Sequence, residues 1–154
     1  MNNSPIKSII LITFMILNLS AYAQSKADRI LGIYSVVETE SKEASKVKIY
    51  KTKAGTYAAK VIWLAVPNFP DGTPKKDFKN PDPAKRNTPG DQIILMWDFT
   101  YDEETDKWIG GEIYDPVHGK IYKCQLNFET PIRLKVRGYI GKPAFGKSMY
   151  WNKL

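Results

Sequence analysis

"IRLKVRGY", residues 132–139, decides how this chain is read. Ile132, Leu134 and Val136 alternate with Arg133, Lys135 and Arg137, and adjacent side chains of an extended strand leave the pleat on opposite sides. The segment reads as a half-buried β-strand, apolar inward and basic outward. The same two-residue period, cut by turn residues, recurs along the chain. It marks eight strands: Gly32 to Glu38, Lys46 to Thr52, Thr56 to Ala65, Gln92 to Thr100, Lys107 to Tyr114, Lys120 to Phe128, Ile132 to Ile140 and Lys147 to Lys153. In "QIILMWDF" both faces are largely apolar, Ile93, Leu95, Trp97 and Phe99 opposing Ile94 and Met96, so that strand is expected to have cover on both sides. A sustained helical period is missing after the leader; only Ser25 to Leu31 and the middle of one long loop suit a helical turn.

The connections fix the order of the strands. "TKAGT" (52–56), "DEETD" (102–106), "PVHG" (116–119) and "ETP" (129–131) are short enough to join only adjacent antiparallel strands. Eight strands linked in sequence order form a meander, which removes its exposed edges by closing on itself. The expected fold is all-β: an eight-stranded antiparallel up-and-down barrel with a long loop between strands 3 and 4. A barrel of this size is either filled by side chains or holds one small ligand.

The long loop runs from Val66 to Asp91, 26 residues with six prolines. Proline lacks an amide donor and disfavours helix at the preceding residue, so this stretch cannot pair into the sheet. "DPAK" suits one helical turn, with Asp82 as cap and Pro83 at the first position. Loops of such length in compact domains tend to be either functional or disordered. Phe69, Phe78 and the stiff prolines suggest an ordered lid over the barrel mouth, its turns held by Asp77 and Asn80, whose side chains bond nearby backbone amides.

The N-terminus carries Lys7, the apolar run Ile9 to Leu19 and "AYA" at 21–23. That is the pattern of a secretory signal peptide over residues 1–23, cleaved before Gln24. The run is about half the ~20 residues a membrane span needs, so no transmembrane span is expected after cleavage. Residues 24–154 are then one barrel domain, periplasmic or secreted. Loss of Lys7 leaves 22 basic and 16 acidic residues. A basic balance favours an anionic surface or an acidic envelope protein as partner, and export argues against nucleic acid. Cys124, alone, cannot form an internal disulfide and is read as a small buried hydrophobe.

Catalytic chemistry is sparse. His118, the one histidine, lies in a turn, and one His with one Cys falls short of a zinc site. "DEETD" lacks calcium-loop spacing. No catalytic residue, metal or cofactor is expected. Glu112, alternating with Trp108, Gly110 and Tyr114, is the one carboxylate to consider for a pocket, against the plainer reading of an outward surface charge.

Aromatic side chains dominate what remains. Tyr57, Trp63, Trp97, Trp108 and Tyr114, with Glu112, either line a ligand cavity or fill the barrel as core. The expectation is an exported, non-enzymatic protein holding a small apolar or amphipathic molecule in that cavity. The alternative is a periplasmic interaction or inhibitor module using the outer basic face of Arg133, Lys135 and Arg137.

"GIY" (32–34), "AAKVIWL" (58–64), "DFKNPDPAKRNTPG" (77–90), "WIGGEIYDP" (108–116), "LKVRGYIG" (134–141) and the terminal "YWNK" together resemble the bacterial exported family catalogued as domain of unknown function 2147. The resemblance implies a lipocalin-like barrel and no established activity. It also places Tyr34 where lipocalins carry a Trp that plugs one barrel end and stacks on a late basic residue, for which Arg137 is the candidate.

Overall fold

The computed structural model describes residues 26–154, and the leader assigned to residues 1–23 lies outside them. Residues 26–28 are helical. Eight strands follow: β1 (Gly32–Val37), β2 (Ala44–Lys51), β3 (Tyr57–Leu64), β4 (Ile94–Asp102), β5 (Lys107–Asp115), β6 (Lys120–Thr130), β7 (Arg133–Tyr139) and β8 (Lys147–Lys153). Each pairs antiparallel with its neighbour in sequence, and β8 returns to β1 to close the barrel. The closing seam is short, Tyr34 opposite Lys153 and Ser35 opposite Asn152.

Strand β7 shows why the pattern works and where it stops. Leu134 and Val136 are fully buried, and Lys135 faces the other way. Ile132, expected inward with them, precedes the strand and is exposed, because the chain is still turning out of β6.

Strands β4 and β5 depart from simple alternation. Met96 and Phe99 are both buried although three residues apart, and so are Trp108 and Gly111. β5 holds one extra residue relative to β6, and β4 shows two register shifts against β3. At two of these irregularities a residue takes left-handed backbone, Asp98 at φ 62° and Gly110 at φ 80°. Such bulges bend a sheet and raise its twist, which helps eight strands close. Gly111 has a further role: a Cβ there would come within 2.3 Å of the Phe99 ring, so only glycine lets that ring lie over β5.

One end of the barrel is packed with rings. Trp108 meets Tyr57 and Phe128 edge-on and Tyr101 at a tilt, with centroids 5.0–6.5 Å apart. Tyr34 lies 6.3 Å from Trp151. Arg137 does not stack on Tyr34 as the lipocalin comparison suggested; Tyr34 is fully buried beside Trp151, while Arg137 alternates outward from Val136.

The other end is roofed by connections. In strand order the β1–β2 and β5–β6 connections lie on opposite walls, yet His118 Nε2 is 3.5 Å from Glu40 Oε1. The segment 66–91, from the wall between them, bonds to both: Lys75 Nζ to Glu43 Oε2 at 2.6 Å and Lys79 Nζ to the Val117 carbonyl at 2.6 Å. The long segment therefore lies across this end.

Candidate functional site

The roof is held by polar contacts that follow from its own sequence. Asp82 accepts from the Ala84 amide and starts the 3-10 turn Pro83–Lys85, the expected use of the "DPAK" motif. Lys76 pairs with Pro89 as an isolated bridge, and Gly90 N donates to the Lys75 carbonyl. Arg86 Nε reaches the Asn80 carbonyl at 2.8 Å. Gly119 adopts φ 66° and leaves room for the Lys79 carbonyl, which would be 2.2 Å from a Cβ at that position.

One carboxylate pins this segment to the barrel. Asp77 is buried, and it accepts from Tyr114 Oη at 2.5 Å and from Asn80 Nδ2 at 2.6 Å. A buried charge is tolerated only when hydrogen-bonded, and here two donors meet it. Burial, then the hydrogen bond to Asp77, pushes the Tyr114 hydroxyl well above the ordinary tyrosine range. Tyr114 also packs with Val61 and Ile93, alongside Leu64, Leu95 and Trp97.

The aromatic residues named from sequence do not form one cavity. Tyr57 and Trp108 are interior, Tyr114 is buried and bonded to the roof, and Trp63 is exposed with Lys46 Nζ 5.2 Å from its ring. Trp97 and Glu112 are cross-strand partners on the outer wall, since they alternate with the buried pair Met96 and Ile113. Trp97 Nε1 donates to Glu112 Oε2 at 3.1 Å. The expectation that these six residues converge on an interior pocket is thus corrected: the two bulges and the docked roof send them in three directions.

Two depressions open on the surface of the barrel domain. The first, about 320 Å³, lies on the wall from β4 to β7 between Asp98, Glu112, Lys123 and Tyr139, over the two glycines of β5. The second, about 410 Å³, lies at the roofed end and is lined by Val66, Phe69 and Pro70, with Asn68, Lys75 and Glu43 as its polar members. Phe69 stacks on Phe78, centroids 6.2 Å apart, and Lys75 Nζ is 5.8 Å from the Phe69 ring. Of this second group only Phe69 was singled out from the sequence. Glu43 and Val66 carry no motif, and nothing local in the chain links them.

The basic stripe is largely engaged. Arg133 lies 4.2 Å over the Tyr150 ring and, like Lys135, 3.8 Å from Glu129. Arg137 bonds the Pro143 and Ala144 carbonyls and Ser148 Oγ. His118 is exposed and its Nδ1 is 2.7 Å from Asp115 Oδ2. Cys124 is fully buried, and burial pushes its thiol up to about 12. Trp151 Nε1 is a buried donor with no partner among the described residues. Among those residues no group of three or more His, Cys, Asp or Glu side chains is placed to hold a metal ion, and no helix is long and apolar enough to cross a membrane.

No curated protein matches the chain. Among solved structures, it is similar to a Helicobacter pylori protein described as belonging to the lipocalin family, with 25% identity, a TM-score of 0.67, and coverage of 81% of this chain and 82% of that one. A lipocalin-like barrel is a ligand-binding fold, typically without catalytic activity. The model of the family described as "Uncharacterized protein conserved in bacteria (DUF2147)" matches residues 32–153, so the chain belongs to that family, and its fold is the lipocalin-like barrel.

Proposed function

We propose that this chain is an exported, non-enzymatic binding protein that takes a small amphipathic molecule at the roofed end of its barrel. The molecule's apolar part lies against Val66, Phe69 and Pro70, and its polar part meets Asn68 and the Lys75–Glu43 pair. The roof-end depression carries this reading: its volume of about 410 Å³ falls in the range of ligand pockets, ~300–1,000 Å³. Apolar walls with a few polar groups suit such a ligand. The ring-packed half of the interior argues for the end of the barrel rather than its centre. Export rests on the pattern of residues 1–23, and the non-enzymatic reading rests on the fold together with His118's place in an exposed turn. The interaction-module alternative is weaker, because Arg133, Lys135 and Arg137 already have partners.

An anionic naphthalene fluorophore titrated into the protein tests the reading. Saturable uptake is expected, and Phe69→Ser should weaken it about tenfold with the β-sheet dichroism intact. Equal affinity in wild type and variant would retire the roof-end site.

A further inference from the structure

The β7–β8 connection, residues 140–146, has a design that ligand uptake at the roof does not use. Ile140 is 75% exposed and Phe145 82% exposed, the two highest values among the large hydrophobic side chains of the barrel. Exposure on this scale suggests a contact surface when the residues are held in place rather than free to fold back.

They are held. The planar guanidinium of Arg137 donates to the Pro143 carbonyl at 2.6 Å, the Ala144 carbonyl at 3.1 Å and Ser148 Oγ at 2.9 Å. Within the loop, Phe145 N donates to the Lys142 carbonyl and Gly146 N to the Pro143 carbonyl, giving the 3-10 turn Pro143–Phe145. Gly146 also permits a close approach to β7, since a Cβ there would come within 2.5 Å of the Gly138 carbonyl. Arg137, read from sequence as part of an outer basic stripe, is spent on stiffening this loop.

The charge around the tip is one-sided. From Pro131 to Leu154 the chain has six basic residues, Arg133, Lys135, Arg137, Lys142, Lys147 and Lys153, and no acidic one. That is six of the formal excess of seven over the full sequence. Lys142, between the apolar pair, and Lys147, just beyond it, are exposed and form no ion pair among the described residues. Exposed apolar side chains alternating with unpaired lysines complement a surface that is oily beneath and negative at its face. An acidic protein groove would meet the lysines but gives no reason for two large hydrophobic side chains to be this exposed.

We propose that the β7–β8 connection is a docking tip for an anionic phospholipid bilayer. Ile140 and Phe145 enter the boundary between head groups and acyl chains, while Lys142 and Lys147 meet the phosphates. Peripheral binding of this kind adds apolar burial to electrostatic attraction, so neither part alone suffices. The tip lies at the same end as the roof, which would turn the proposed ligand mouth toward the membrane.

Residues 24–154 contain all eight strands and the closing seam, so this part of the chain holds the complete barrel and suits a vesicle assay without the apolar leader. Sedimentation with phosphatidylglycerol-containing vesicles should carry it down, and pure phosphatidylcholine vesicles should leave it in solution. Ile140→Ser with Phe145→Ser, and separately Lys142→Glu with Lys147→Glu, should each lower partitioning about tenfold or more, as should raised salt for the wild type. All four positions are solvent-facing, and circular dichroism checks that each variant keeps its sheet. Wild type that stays in solution with anionic vesicles would overturn the proposal. Equal binding to both vesicle types, unchanged binding of either variant, or self-association through the tip in sedimentation velocity would overturn it too.

Discussion

Two connections at the same end of the barrel are ordered by opposite means. The segment 66–91 carries its own anchor, Asp77, which accepts from Tyr114 on the barrel and from the segment's own Asn80. The loop 140–146 carries no anchor; a scaffold residue, Arg137, reaches out and holds its carbonyls. The first arrangement buries a charge and draws the loop down. The second folds the loop back on β7 and leaves Ile140 and Phe145 outside. A buried anchor lays one connection across the barrel end, and an outreached guanidinium fixes the other with its apolar side chains exposed. Arg suits the second task because its fork meets several acceptors at once, which lysine cannot do.

The largest expected effect comes from removing the buried anchor. Asp77→Ala leaves Tyr114 Oη and Asn80 Nδ2 without their acceptor, and should cost about 3 kcal/mol in urea denaturation. Tyr114→Phe should cost less, and the double variant should fall short of the sum, because both remove the same contact. Full additivity would show that Asp77 does not act through Tyr114.

Arg137→Ala should be milder, about 1 kcal/mol, because the guanidinium is partly exposed and water can replace it. Its distinguishing sign is local: chymotrypsin cleavage after the exposed Phe145 should quicken in Arg137→Ala and stay slow in Asp77→Ala. If Arg137→Lys fully restored resistance, the fork geometry would be irrelevant and the contrast between the two loops would collapse.

Cys124 supplies a reference in the wall itself, opposite both Gly111 and Gly138. Burial raises its thiol from an ordinary 9.0 to about 12. The folded protein therefore holds the neutral form where the unfolded chain has begun to ionise. The associated stability is fully present below about pH 9 and is lost as pH rises from there through about 12. Tyr34 and Tyr114, also raised, add to the loss above pH 10. Cys124→Ala should flatten the first part of that decline by about 1 kcal/mol at pH 10. The thiol should also stay unreactive to a thiol reagent at pH 8 in both loop variants. Rapid labelling in either one would mean that the wall opens along with the loop.

The strands were legible because each depends on neighbours one or two residues away. β7 announced itself through Leu134 and Val136, and the "DPAK" turn through Asp82 and Pro83. The candidate site was less legible. Trp97 and Glu112 looked like pocket residues because alternation alone cannot register a bulge; Asp98 in a left-handed conformation reverses which side the next residue faces. Val66, Asn68, Lys75 and Glu43 were missed altogether, since residues of two different connections make one depression only after the barrel has closed. Arg137 was seen but misread, because its partners lie in the loop that follows rather than across the strand.

By itself, then, the sequence determined the number of strands, their order and the closure, since side-chain alternation and short turns are properties of adjacent residues. Only the tertiary structure decided which aromatic side chains face the interior, that Asp77 meets Tyr114 across 37 positions of chain, and that Arg137 faces a loop rather than a partner. The reason is physical. A strand's period is set by local backbone geometry, whereas a buried charge or a bulged wall is settled by groups that become neighbours only when distant parts of the chain pack together.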